Sequence, residues 1–100
     1  MSVAGVARDL AAALGVPFSF PVREAARADE SVHDLLTVEV LDPSLCGRFV
    51  ATVLRNVTVG QSPAWMQNRL IQLGMRPINS IVDISNYVML ELGQPNHTYD

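Results

Sequence analysis

Residues 62–95 limit what this chain can fold into more tightly than any other stretch. The run SPAWMQNRLIQLG opens on Ser62-Pro63, spaces Met66, Leu70 and Leu73 at helical intervals and closes on Gly74. A serine oxygen can cap free amides, a proline fits the first helical position, and a glycine is the usual residue just past a helix end. The spacing predicts a helix over 62–73. A second block, NSIVDISNYVMLELGQP, repeats this punctuation: Ser80 with Asp83 three residues on reads as a capping-box variant, and Gly93 and Pro95 stop the segment. It predicts a helix over 80–92 whose Ile81, Ile84, Val88 and Leu92 form the packing stripe, leaving Asp83, Asn86, Tyr87 and Leu90 on a different side.

The rest of the chain reads less uniformly. Val3, Val6, Ala7, Leu10 and Leu14 recur at helical spacing before Gly15 and Pro17, so residues 1–15 hold a helix over 3–14. Residues 16–35 mix Arg23, Glu24, Arg27, Asp29 and Glu30 without a stable period and read as an irregular connection. From Leu36 to Val40 apolar residues alternate with Thr37 and Glu39, Asp42-Pro43-Ser44 turns the chain, and Arg48 to Val59 is rich in β-branched residues with a bulge expected near Arg55-Asn56. These features predict a β-hairpin over 36–59, with strands 36–41 and 48–59. The expected class is α+β, with helices packed on an antiparallel β-sheet or hairpin in a single domain.

Charge and cysteine usage exclude several functions. With seven arginines, no lysine and a net charge of −3, the chain lacks the basic face that displaces counterions from a nucleic-acid backbone. DNA is therefore not an expected partner, and any RNA must be read by a local pocket. Cys46 is the only cysteine, so an internal disulfide is impossible, and with His33 and His97 far apart there is no zinc-ligand spacing. No metal site is expected. No apolar run reaches the length of a membrane span and no export signal stands at the start, which makes the expected location cytoplasmic.

The closing stretch GQPNHTYD raises the question of a site. A Gln-Pro turn behind the 80–92 helix delivers His97 back toward the helix end, where an imidazole can stand beside Asn86. Taken one at a time, each candidate also has a plain structural reading: His97 as a solvated turn residue, Asn86 as an exposed helix residue, Arg76 as a charge after a glycine cap, Cys46 as a small hydrophobe and Trp65 as a packing residue. The residues alone support an α+β domain with a polar pocket at its C-terminal end.

The run SPAWMQNRLIQLGMRPINSIVDISNYVMLELGQPNHTYD closely resembles the editing region of the bacterial phenylalanyl-tRNA synthetase beta chain. That family carries a SPxW helix start, a GxRPxNxxVDxTNYVM segment and a GQPxHxFD turn at this spacing. Residues 37–61 match more loosely through DPSLCGRFVATVL, and GVARDLAAALG looks like the helix just upstream. Ser85 stands where the family commonly has threonine, and Tyr99 where phenylalanine is usual. The resemblance implies the first half of a larger layered α/β editing domain, with 93–100 as its site turn and with the residues that read a tyrosine hydroxyl beyond Asp100.

The implied activity is post-transfer editing, hydrolysis of tyrosine mischarged on tRNA(Phe), as part of a phenylalanine–tRNA ligase. In that reading the catalytic residue is His97, which orients the ester or water, Asn86 and Ser85 make polar contacts to substrate, Arg76 supports a phosphate or the pocket, and the proton acceptor is either a hydroxyl of the terminal ribose or His97 as general base. The implied partners are the tRNA(Phe) 3′ end, the second half of the domain and a synthetase alpha chain in an alpha2beta2 assembly. ATP and magnesium belong to the whole enzyme, with no cofactor in this segment. The rival expectation is a non-catalytic tRNA- or protein-interaction module of the same fold, which would keep the caps and core but need neither His97 nor Asn86.

Overall fold

The computed structural model describes residues 1–20, 24–25 and 29–100. Among the described residues the helices are α1 (Val3–Leu14), α2 (Ala64–Gln72) and α3 (Ser80–Leu92), with a single 3-10 turn at Val32–Asp34. The chain divides into two compact units, one made of Met1–Val22 with Thr58–Asp100 and the other of Arg23–Val57. All three helices lie in the first. Both α1 and α2 pack on α3. Among the described residues no helix is long and apolar enough to cross a membrane.

The α+β expectation is overturned: among the described residues there is no strand, and the antiparallel hairpin over 36–59 is absent. In that stretch the main-chain hydrogen bonds of the described residues are local, from Leu36 N–H to the Val32 carbonyl and from the Leu45 and Cys46 N–H groups to the Asp42 carbonyl. No ladder joins 36–41 to 48–59. Alternating apolar residues stabilise a strand only when one face is covered, and two strands alone are marginal in water. Here Leu41, Val50 and Leu54 are 87%, 70% and 76% exposed, so pairing would gain no burial to offset the ordering entropy. The expected bulge is instead a bend at Asn56, whose φ of 56° is a left-handed conformation that asparagine tolerates.

The Asp42 turn forms through its side chain. Asp42 Oδ1 accepts from the Ser44 amide at 2.9 Å and from the Ser44 hydroxyl at 2.5 Å. The hydroxyl first, and the amide after it, hold the Asp42 carboxyl below the ordinary aspartate range. A depressed folded value means that this contribution to the turn is complete above the unfolded-state value and is lost as pH falls through the folded one.

Helix α1 is capped at both ends. The Ser2 side chain accepts from the Gly5 amide at 3.0 Å, and Gly15 takes φ 65° with its N–H directed to the Ala11 and Ala12 carbonyls. Its packing face differs from the apolar stripe. Ala4 and Ala11 are the buried residues, while Val3, Val6, Leu10 and Leu14 are all about half exposed or more. The α1–α3 approach is close where small residues meet. A Cβ added at Gly93, the φ 80° cap of α3, would stand 3.0 Å from Ser2 Cβ.

This closeness separates two otherwise equivalent caps. Gly15→Ala should cost about 1–2 kcal/mol for the left-handed backbone alone, since a Cβ there meets nothing within 4 Å. Gly93→Ala should cost measurably more in urea titration, because Ser2 must also give way. Equal losses would mean that α1 does not rest on the end of α3.

Candidate functional site

The start of α3 is held by a polar network in the tightest part of the helical unit. Asp83 is 1% exposed, Ser62 4% and Leu70 0%. Asp83 Oδ2 accepts from the Ser62 hydroxyl at 2.5 Å and Oδ1 accepts from the Ile78 amide at 2.8 Å. A carboxylate this buried persists because its oxygens are met by donors, and among the described residues no buried side-chain nitrogen or oxygen lacks a partner. The Ser62 carbonyl in turn accepts from the Gln67 side chain at 2.6 Å. Gly60 and Ser80 exchange two bonds, Ser80 N–H to the Gly60 carbonyl at 2.7 Å and Gly60 N–H to the Ser80 hydroxyl at 3.2 Å. Residues 60–62 are thereby stitched to the first turns of α3.

This geometry corrects the capping assignments. The N-cap of α3 is Asn79, whose side-chain oxygen accepts from Ile81 and Val82 at 3.1 and 3.0 Å, and Ser80 is the first helical residue. Asp83 reaches back to Ile78, one residue ahead of the cap, so the reciprocal pairing of a capping box reappears displaced. Helix α2 begins after Pro63, its N-cap, with no side-chain capping bond, and the Ser62 hydroxyl donates to Asp83. The expected stripe of α3 shifts as well: Ile84 is 47% exposed, and the buried position is the carboxylate.

Arg76 lies in the loop between α2 and α3, exposed to solvent. Gly74, at φ 82°, donates to the Ile71 carbonyl and Met75 N–H to the Leu70 carbonyl at 2.9 Å, which ties the loop to the end of α2. Asp83 ties its other end at Ile78. Only Arg76 and Pro77 stand between the two anchored amides.

Ser85 and Asn86 sit half-buried in the middle of α3. The Ser85 hydroxyl donates to the Val82 carbonyl at 2.9 Å, leaving its lone pairs to accept. After Gly93 the chain turns back along the helix, and Asn96 Nδ2 donates to the Ser85 carbonyl at 3.3 Å. His97, the next residue, is exposed and its ring stands 6.4 Å from that of Tyr99. Among the described residues the side chains of Arg76, Asn86 and His97 make no hydrogen bond to one another, and no group of three or more His, Cys, Asp or Glu side chains is placed to hold a metal ion.

A second cluster went unread in the sequence. Arg69 of α2 lies 5.4 Å over the Trp65 ring and 5.9 Å over that of Tyr87, and the two rings meet edge to face at 5.5 Å. Arg69 Nη1 donates to the Tyr87 hydroxyl at 2.5 Å, which donates on to Glu91 at 3.1 Å. The i, i+4 spacings of Trp65 with Arg69 and of Tyr87 with Glu91 were the available signal.

Residues 45–100 match the family model described as the B3/4 domain. The chain belongs to the B3/4 domain family. The match covers Arg76, Asp83, Ser85, Asn86 and His97 together. Over its whole length the chain is also similar to proteins named phenylalanine–tRNA ligase beta subunit. It is 46% identical over 100 residues to that of Moorella thermoacetica, 48% over 99 residues to that of Desulfotalea psychrophila and 49% over 100 residues to that of Symbiobacterium thermophilum. These alignments take in 99–100% of this chain and only 11–12% of each relative.

In this B3/4 domain segment the cap assignment is open to a direct check. Asn79→Ala should lower stability by about 1 kcal/mol, with Asn79→Asp near neutral. Ser80→Ala should cost less, since its hydroxyl serves only the exposed Gly60 amide. Urea denaturation giving the larger loss at Ser80 would restore the capping box and contradict the Asn79 cap.

Proposed function

We propose that this chain is a segment of a phenylalanine–tRNA ligase beta subunit and contributes to a site that hydrolyses tyrosine esterified to tRNA(Phe). The observation that carries this reading is the similarity along all 100 residues to proteins of that name, with a B3/4 match spanning every candidate residue. A synthetic pocket shaped for an apolar ring rejects a molecule with one added hydroxyl by only about a hundredfold. A second site that recognises the hydroxyl and cleaves the ester supplies the rest.

Ester hydrolysis needs an oriented water, a donor to the developing oxyanion and a proton acceptor. His97 orients the ester or the water. The Asn86 amide and the Ser85 oxygen, half-buried on α3, contact the aminoacyl end, and the exposed Arg76 guanidinium supports a phosphate of the 3′ terminus. A hydroxyl of the terminal ribose takes a proton from the attacking water as it passes its own to the departing ester oxygen, so that the ester bond breaks to free tyrosine and an unesterified 3′ end. The anchoring of Asn96 to Ser85 supports this reading, because it draws the segment that carries His97 back along α3. The tRNA 3′ end, the second half of the domain and a synthetase alpha chain are the proposed partners, in a cytoplasmic enzyme. ATP and magnesium are assigned to the synthetic site of the whole enzyme, and no step here passes through them.

In the full-length protein assembled with its alpha chain, His97→Ala should slow clearance of tyrosyl-tRNA(Phe) by less than the ~10²-fold floor of a lost general base. Phenylalanine attachment, measured on the same preparation, should stay near normal. Unchanged deacylation would remove His97 from the site, and equal loss of both activities would place it in the fold.

A further inference from the structure

We infer that Asp83 is a positioning residue for Arg76, holding the Arg76 loop in register with α3 through its bond to Ile78. This rests on the editing reading only for what Arg76 touches. The loop is pinned at Met75, whose N–H reaches the α2 carbonyl of Leu70, and at Ile78, whose N–H reaches Asp83 Oδ1 at 2.8 Å. Pro77 has no N–H and a fixed φ, so the span between the pins has little freedom of its own. The second oxygen of Asp83 is held by the Ser62 hydroxyl, so the carboxylate cannot rotate away from Ile78 without leaving that hydroxyl buried and unpaired. One side chain thus couples three segments: residues 60–62, the loop that presents the guanidinium, and the helix that presents Ser85 and Asn86. An exposed cation that meets a phosphate acts on binding more than on bond cleavage, so loosening its loop should weaken affinity and leave the chemical step intact.

The test uses the full-length protein assembled with its alpha chain, with tyrosyl-tRNA(Phe) as substrate and amide hydrogen exchange at Ile78. Asp83→Ala should speed Ile78 exchange at least about tenfold and raise KM about three- to tenfold, with kcat within about twofold. Asp83→Asn keeps an oxygen facing Ile78 and should preserve both the exchange protection and KM. Arg76→Ala should raise KM by itself, and adding Asp83→Ala to it should raise KM no further. If Asp83→Ala does not fold, Ser62→Ala, which frees one carboxylate oxygen, should show the same changes at smaller size. The proposal is overturned by unchanged Ile78 exchange, by additive effects of Asp83→Ala and Arg76→Ala on KM, or by a fall in kcat at constant KM, the pattern of fewer folded molecules. If the unsubstituted protein does not hydrolyse tyrosyl-tRNA(Phe), the editing reading fails, and Ile78 exchange still decides whether Asp83 holds the loop.

Discussion

The helical unit depends on one buried carboxylate. Asp83 of α3 is as fully buried as Leu70 of the helix packed against it, and it persists there because a hydroxyl and an amide meet its two oxygens. An unpaired charge at this position would cost several kcal/mol, which makes Ser62 and Ile78 conditions of the fold rather than additions to it. Because the two donors come from 21 and five residues away, the carboxylate sets relations between segments that local propensity does not specify.

From that point the unit extends outward with progressively lighter restraints. Gly60 and Ser80 exchange bonds beside the Asp83 pair, Asn79 caps the helix, and Arg69 bridges α2 to the Tyr87 and Glu91 side of α3. Helix α1 also packs on α3, and its buried residues are Ala4 and Ala11, small side chains that permit close approach but bury little area. The candidate site residues are placed by this scaffold: Arg76 between two pinned amides, Ser85 and Asn86 in the middle of α3, and His97 after an asparagine bonded back to the helix. The candidate side chains stand exposed or half-buried on elements that are hydrogen-bonded to one another, an arrangement that favours presentation of contacts over ordering by a ligand.

What the sequence made legible was whatever depends on backbone chemistry close at hand. Gly15, Gly74 and Gly93 mark helix ends because left-handed φ is cheap only there, and each adopts it. Local rules failed where two residues compete for one role. Asn79 and Ser80 are both good caps, and only the distant Gly60 settles which one serves. Local rules assign Asp83 to a cap because acidic residues are seldom buried, and nothing within the helix announces a serine 21 residues upstream. The apolar stripes misled for a related reason: periodicity reports which face can be buried, and Val6, Leu10 and Ile84 remain exposed all the same. The same holds for 36–59, where alternation without a covering layer gives no ladder. Of the site, the linked motifs located His97, Asn86, Ser85 and Arg76 as candidates, while Trp65 with Arg69 and the positioning part of Asp83 emerged only from three-dimensional contacts.

The claim that the Ser62–Asp83 pair organises this unit is tested most directly by a double-mutant cycle on Ser62→Ala and Asp83→Ala, read by equilibrium urea unfolding. A buried hydrogen bond to a charged group predicts a coupling energy of about 1.5–3 kcal/mol, with the double variant more stable than the sum of the single losses implies. Coupling below about 0.5 kcal/mol, the range of residues that act independently, would contradict it.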